Sequence, residues 1–189
     1  MKTIDNEYQA EYIINKSKFI SFAYPISSVD QSKALLDNLR QKFSDATHIC
    51  FAYILSSPKQ ERCSDDGEPT GTAGKPILEL IKKKKLENVV IFVVRYFGGK
   101  KLGAGGLIRA YTTSAKLCLE QAQVIDKIEC KKYSAIVDIL TGDKAKRLIE
   151  SVGGKILHIE YGEKVAIEFE IDDINKLGIV SIENLREVW

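Results

Sequence analysis

One stretch of 23 residues, 88–110, constrains the fold of this chain more than any other. It begins with an apolar, β-branched run from Val89 to Val94, which is typical of a buried strand. A basic, glycine-rich loop follows, and a helical pattern begins near Gly105. A helix N-terminus presents unpaired backbone N–H groups, its dipole favours negative charge, and glycines let a ligand approach the backbone. The stretch therefore predicts a site for a phosphate or a carboxylate.

The charge around this stretch is strongly positive. Ten cations lie between Lys75 and Lys116, where the only acidic residues are Glu79 and Glu87. Such a basic stripe favours nucleic acid or an acidic protein face as a partner, although a solvated surface is the simpler alternative. The residues predicted to bind nucleic acid or another anion are Lys82, Lys83, Lys84, Lys85, Arg95, Gly98, Gly99, Lys100, Lys101, Gly103, Gly105, Gly106 and Arg109.

The composition, with 44% apolar and 29% charged residues, is that of a soluble globular protein. The N-terminus has no apolar secretory segment, and the longest apolar run is far too short to span a membrane. The four cysteines lack a Cys-x-x-Cys spacing, which indicates reduced thiols rather than a zinc site. We therefore expect a cytoplasmic protein without a metal, a cofactor or a membrane partner.

Hydrophobic periodicity predicts two domains, 1–125 and 126–189. In the first, a polar stretch from Ser56 to Gly74 is predicted to be loop only, and Ser27 or Ser28 is predicted to cap a helix. The predicted strands and helices of the first domain are Tyr8 to Asn15, Lys18 to Ile26, Ser28 to Phe43, His48 to Leu55, a helix from Pro76, Val89 to Val94, and Leu107 to Ala122.

The second domain has a β-α-β-β-α pattern, which is typical of a small ferredoxin-like fold. Because the sequence ends at Trp189, where such a domain would add a final strand, we expect the closing strand to be missing. The predicted elements are a strand Ile128 to Leu140, a helix Gly142 to Ser151, strands Lys155 to Tyr161 and Lys164 to Ile171, and a helix capped by Asp172 and Asp173.

Three carboxylates, those of Asp65, Asp66 and Glu68, surround Gly67 and are called here the acidic turn. They could hold a hydrated Mg²⁺ or act as acid and base, or they could satisfy backbone N–H groups near a helix start. If the acidic turn and the glycine loop form one cleft, we expect Arg95 to pair with a carboxylate. Lys100, Lys101 and Arg109 would then remain available to an external anion.

Two catalytic alternatives fail at the level of sequence. The segment before Lys75 resembles a phosphate-binding loop, but prolines occupy positions 69 and 76, where that motif needs glycine and Ser or Thr. His48 and Cys50 lie on one face of a strand, but a nucleophilic pair would need an orienting partner that the sequence does not identify. No catalytic residue is assigned.

Four segments together resemble the signature of the Impact family, in its bacterial YigZ-type form. They span most of residues 1–125, and their combination is far more specific than a single glycine motif. The matching segments are Ala46-Thr-His-Ile-Cys50, Asp65-Asp-Gly-Glu-Pro69, Thr72-Ala-Gly-Lys-Pro-Ile-Leu78 and Arg95-Tyr-Phe-Gly-Gly-Lys-Lys-Leu-Gly-Ala-Gly-Gly-Leu107.

The resemblance implies a mixed α/β (α+β) fold. The N-terminal domain would be like the second domain of small-subunit ribosomal protein five, and the C-terminal domain would resemble the last domain of elongation factor G. It also implies a link to translation, without an established enzyme activity.

Two functional hypotheses follow from the residues and the resemblance together. The first is a non-enzymatic cytoplasmic protein that binds RNA or a ribosome-related partner through the basic glycine loop. The alternative is a phosphate-substrate enzyme with Mg²⁺ on the acidic turn, since the GHMP kinases share the implied fold and also use a glycine loop.

Overall fold

The structure is a computed structural model, and it describes residues 1–126, 130–177 and 186–188. By their contacts the residues form two compact units, Met1–Lys127 and Ile128–Trp189. Both units are mixed α/β structures with antiparallel sheets, as the sequence predicted. The likeness of each unit to a particular translation-factor or ribosomal domain stays a prediction. Within the described residues, no helix combines the length and the apolarity that a bilayer span requires.

Unit 1 is built on a five-stranded antiparallel sheet with three helices. Its elements, in chain order, are β1 (Lys2–Ile4), β2 (Tyr8–Ile14), β3 (Ser17–Pro25), α1 (Val29–Lys42), β4 (His48–Leu55), β5 (Gln60–Ser64), α2 (Gly74–Lys83), β6 (Val89–Tyr96), α3 (Gly103–Gln121) and β7 (Val124–Asp126). The large sheet has the order β2-β3-β6-β4-β5, and β1 pairs separately with β7.

The central strand β6 confirms the predicted buried strand, because every residue from Val89 to Arg95 is buried. Its side chains alternate between two cores, since successive residues of a strand point to opposite faces of the sheet. Ile91 and Val93 belong to the core under α2 and α3, whereas Phe92 and Val94 belong to the core that α1 covers. A strand covered on both faces reads as a continuous apolar run, which explains why the sequence signal was strong.

The helices of unit 1 form where the local sequence signals predict them, but they begin at residues other than the predicted ones. The side-chain oxygen of Ser28 accepts a hydrogen bond from the N–H of Gln31 at 3.2 Å and caps α1. Helix α3 begins at Gly103, one turn before the predicted start at Leu107, because three glycines obscure the helical pattern there. The predicted loop between Ser56 and Gly74 is wrong in part, because Gln60–Ser64 forms β5 on the edge of the sheet. An exposed edge strand has no apolar alternation to detect.

Unit 2 is a four-stranded antiparallel sheet with the order β11-β8-β10-β9. Its elements are β8 (Lys131–Val137), α4 (Ile139–Ser151), β9 (Lys155–Tyr161), β10 (Val165–Ile171), a 3₁₀ helix (Ile174–Leu177) and β11 (Arg186–Val188).

Three predictions for unit 2 need correction or comment. The closing strand expected to be missing is present, because β11 pairs antiparallel with β8. Three residues are too short for a periodic signal, which is why the sequence did not reveal this strand. The first strand ends at Val137, since α4 already begins at Ile139. The start of that predicted strand at residues 128 and 129, and residues 178–185 of the predicted last helix, lie outside the described residues.

Candidate functional site

The acidic turn holds the start of helix α2. One carboxylate oxygen of Asp65 accepts hydrogen bonds from the N–H groups of Ala73 at 3.0 Å and Gly74 at 2.8 Å. The other accepts from the N–H of Gly71 at 2.8 Å. No side chain at the N-cap position of α2 performs this role. Asp65 therefore supplies the acceptor and the negative charge that a helix N-terminus favours.

Asp66 ties the same turn to strand β4. Its Oδ2 accepts from the N–H of Ile49 at 2.6 Å, and its backbone carbonyl lies 2.7 Å from Nδ1 of His48. A carbonyl only accepts, so Nδ1 carries the proton of this hydrogen bond. Nε2 of the same ring lies 4.0 Å from Oε1 of Glu68. The ring is thus oriented by the acidic turn.

Glu68 and Arg95 form a buried ion pair. Nη1 of Arg95 donates to Oε1 of Glu68, and only 5% of Arg95 and 8% of Glu68 are exposed. The hydroxyl of Tyr111 donates to the same carboxylate oxygen at 2.7 Å. The guanidinium also lies 5.4 Å from the ring centre of Phe19 and 5.6 Å from that of Phe97. These contacts fix Arg95, so it is not a member of an exposed basic stripe, contrary to the sequence-based prediction.

The pair of His48 and Cys50 has a structural role. The Cys50 thiol is fully buried and donates to the carbonyl of Asp65 at 3.0 Å. Burial raises the pKa of this thiol to about 12, and burial likewise raises the pKa of the Tyr111 hydroxyl. A thiol with such a pKa stays protonated near neutral pH and is not a nucleophile.

The acidic turn and the glycine loop line one cleft of about 440 Å³. The geometric expectation that the two loops converge, with Arg95 paired to a carboxylate, is therefore met, whereas binding in the cleft stays a prediction. The lining residues are Thr47, His48, Glu68, Pro69, Arg95, Phe97, Lys101, Leu102, Gly103, Ala104 and Leu107.

The start of α3 opens onto this cleft without a cap of its own. Leu102 occupies the N-cap position, and its side chain makes no capping hydrogen bond to the first turn. Gly103 has a φ of +69°, a conformation that favours glycine. At Gly105 an added Cβ would meet no atom within 4 Å, so internal packing does not require glycine there. The first-turn N–H groups are consequently open to an anion.

The other predicted glycines serve the fold of the loop. A Cβ at Gly98 would collide with the backbone of Lys16, because the loop passes against the β2–β3 hairpin. Gly99 has a φ of +81°, and a Cβ at Gly106 would lie 3.1 Å from the Cβ of Leu102. None of these three lines the cleft. Their presence is explained by backbone conformation and close packing.

The structure divides the predicted cations between two surfaces. Lys100, Lys101 and Arg109 are exposed near the start of α3, and only Lys101 lines the cleft itself. The four lysines of residues 82–85 are exposed at the end of α2, where Lys82 pairs with Glu61 at 2.8 Å. Lys83 and Lys84 line a different groove, between α2 and α3. The stripe read from the sequence is not one continuous site.

Several side chains of the site were not singled out by sequence reasoning. Thr47 and Phe97 line the cleft, and Tyr111, a buried residue of α3, donates a hydrogen bond to the carboxylate of Glu68. Tyr111 lies 43 residues from Glu68 in sequence, so no local pattern could have linked them. Phe97 and Thr47 lie inside two of the four family segments, and that position was the available signal.

Comparison with known proteins places this site in a family. The Impact N-terminal domain model matches residues 15–119, which is more than half of the chain and includes the whole cleft. The chain belongs to the IMPACT family. The resemblance read from the four sequence segments is therefore confirmed.

Individual relatives cover most of this IMPACT-family chain. It is 33% identical to the IMPACT family member YvyE of Bacillus subtilis (strain 168), over 90% of this chain and 79% of that protein. It is 36% identical to the IMPACT family member YigZ of Escherichia coli (strain K12), over 78% of this chain and 74% of that protein. A crystal structure described as that of a hypothetical protein matches 99% of this chain and 95% of its own, with a TM-score of 0.73 and 28% identity.

Proposed function

We propose that this chain is a cytoplasmic RNA-binding protein linked to translation, and that it binds phosphate groups at the start of α3. The observation that carries the proposal is the uncapped first turn of α3, which opens onto a cleft lined by Lys101. The exposed side chains of Lys100 and Arg109 extend the positive surface beyond the cleft. Four free cysteines support a reducing compartment. A ribosome-related partner would be recognised through the same RNA chemistry.

The alternative enzyme with Mg²⁺ on the acidic turn has less support. All three carboxylates already bind protein groups: Asp65 the start of α2, Asp66 strand β4, and Glu68 the guanidinium of Arg95. Among the described residues, no group of three or more His, Cys, Asp or Glu side chains is placed to hold a metal ion. A metal would have to displace these internal contacts.

We predict salt-dependent RNA binding that requires the loop lysines. With a labelled single-stranded oligoribonucleotide in a filter-binding assay, log K should fall with log salt by roughly 0.7–0.9 per phosphate contact. The double substitution Lys100→Glu and Lys101→Glu should weaken binding by at least about tenfold, because it replaces two attractions with two repulsions. A matched control makes the same charge change at Lys33 and Lys59, which line neither the cleft nor the α2–α3 groove.

Comparison of the loop variant with the control distinguishes RNA binding at the start of α3 from a general effect of net charge. Binding that survives in the Lys33→Glu, Lys59→Glu control and is lost in the loop variant supports the proposal. Absence of binding at low salt, or an equal loss in both variants, would contradict it.

Gly105→Ala should raise stability while weakening RNA binding. Alanine is favoured over glycine in a helix by about 0.5–1 kcal/mol, and the new methyl group would meet no protein atom. Because Cβ atoms tilt toward the helix N-terminus, the methyl would crowd the space where a phosphate approaches the first-turn N–H groups. Loss of one charge-assisted hydrogen bond corresponds to about tenfold weaker binding.

Thr113→Ala on α3 is the matched control, since it also improves helix propensity but lies further along the helix. Urea unfolding and filter binding should show increased stability for both variants and weaker binding for Gly105→Ala alone. Unchanged binding by Gly105→Ala would place the RNA elsewhere.

A further inference from the structure

A second concave surface of unit 1 takes no part in the proposed RNA site. It is a groove of about 880 Å³ between α2 and α3, with an apolar floor that includes Pro76 and Leu80 from α2 and Ile108 from α3. Ile108 is 42% exposed although it is a large aliphatic residue. The lining residues along α2 run from Lys75 to Lys84, the C-cap of the helix, which is roughly 13 Å at the helical rise of 1.5 Å per residue. The groove thus has the length of two to three helical turns.

The rim of this groove is basic. Lys75, Lys83 and Lys84 line it, and within the part of the chain that the structure describes no acidic side chain forms an ion pair with any of the three. Lys116, also on the rim, pairs with Glu120 at 3.4 Å. Glu79 is the acidic residue among the described residues that line the groove. The surface therefore combines an apolar floor with positive flanks.

These features favour a protein segment over nucleic acid. Single-stranded nucleic acid is commonly held by aromatic rings on which bases stack, and no aromatic side chain is among the described residues that line this groove. Phosphate groups gain no contact from an aliphatic floor, whereas apolar side chains of a protein segment do. Aliphatic side chains flanked by lysines instead complement an amphipathic helix with acidic residues on its flanks.

We propose that the α2–α3 groove binds an amphipathic, acidic helical segment of a partner protein. Apolar side chains of that segment, spaced four residues apart, would cover Ile108 and the half-buried Pro76, and its carboxylates would meet Lys75, Lys83 and Lys84. A contact of two to three turns is smaller than a standard protein interface, so micromolar dissociation constants are expected. This site is separate from the α3 start and does not depend on RNA binding there.

The test uses a fluorescein-labelled synthetic peptide of about three helical turns, with leucines on one face and glutamates on both flanks. Two matched peptides replace the glutamates by lysines or the leucines by alanines. Fluorescence anisotropy with the full chain should show micromolar binding for the first peptide and at least about tenfold weaker binding for the other two.

Protein variants then locate the contact. Lys83→Glu together with Lys84→Glu should weaken the glutamate peptide by about tenfold and improve binding of the lysine peptide, because the rim charge is reversed. Ile108→Ser should weaken binding of both peptides. Because Ile108 is exposed, this substitution leaves the hydrophobic core intact. Gly105→Ala should leave peptide binding unchanged, so that failure of this proposal and failure of the RNA proposal are distinguishable.

Three results would overturn the inference: equal binding of all three peptides, peptide binding that neither groove variant alters, or no detectable peptide binding. Loss of RNA rather than peptide binding in the Lys83→Glu, Lys84→Glu variant would assign the groove to nucleic acid instead.

Discussion

Glu68→Ala is expected to destabilise unit 1 by about 3–5 kcal/mol, the largest effect of any substitution at the cleft. The reason is that Arg95 would keep its charge at a position that is only 5% exposed, without the carboxylate that neutralises it. The hydroxyl of Tyr111 would lose its acceptor as well. Amide hydrogen exchange of β6 and α3, which reports on unit 1 specifically, measures the change in the free energy of unfolding.

A double substitution tests the cause of this effect. In Glu68→Leu with Arg95→Met, both charges are replaced by apolar groups, so most of the lost stability should return. Glu79→Ala is the matched control, because Glu79 is exposed and a surface substitution should change stability by no more than about 0.5 kcal/mol. If the double variant is as unstable as Glu68→Ala, the uncompensated charge is not the cause.

Asp65→Ala should lower the free energy of unfolding of unit 1 by about 2–4 kcal/mol. The substitution leaves the N–H groups of Gly71, Ala73 and Gly74 without their acceptor and removes the negative charge at the start of α2. Hydrogen exchange in the first turn of α2 should rise before that of β6. Asp30→Ala in the first turn of α1 is the control, since α1 keeps its Ser28 cap.

The same variant distinguishes the structural role of the acidic turn from a metal-binding role. If Asp65 held Mg²⁺, its removal would relieve repulsion between neighbouring carboxylates in the metal-free protein. Asp65→Ala would then be neutral or stabilising, and Mg²⁺ would stabilise the unmodified chain through binding to the folded state. A loss of stability that is independent of Mg²⁺ supports the structural role.

The chemistry of the cleft was visible in sequence only in part. The acidic turn and the glycine loop stood out because glycines and charges cluster locally, and a basic residue between them suggested an ion pair. The sequence did not show which carboxylate pairs with Arg95, because Glu68 lies 27 residues away from it. It also did not show that Tyr111 of α3 donates to the same carboxylate. The sequence offered backbone capping at a helix start as one of two roles for the acidic turn, and the structure assigns that role to Asp65.

The basic stripe shows the limit of reading charge along a chain. Lys83, Lys84 and Lys101 lie within 19 positions of one another in sequence, but they line different cavities. A strand and a loop separate them, and the packing of α2 against α3 decides which surface each side chain reaches. Net charge predicted a partner class, whereas tertiary structure divided the cations into two sites.

The sequence by itself determined the buried central strand, the three long helices of unit 1 and the family to which the chain belongs. These rest on local periodicity and short motifs, in which neighbouring residues carry the information. Only the tertiary structure decided the edge strands β5 and β11, because short or exposed strands are stabilised by backbone pairing with partners and not by side-chain patterns. It also decided the buried Glu68–Arg95 pair, because long-range packing is what removes both charges from water.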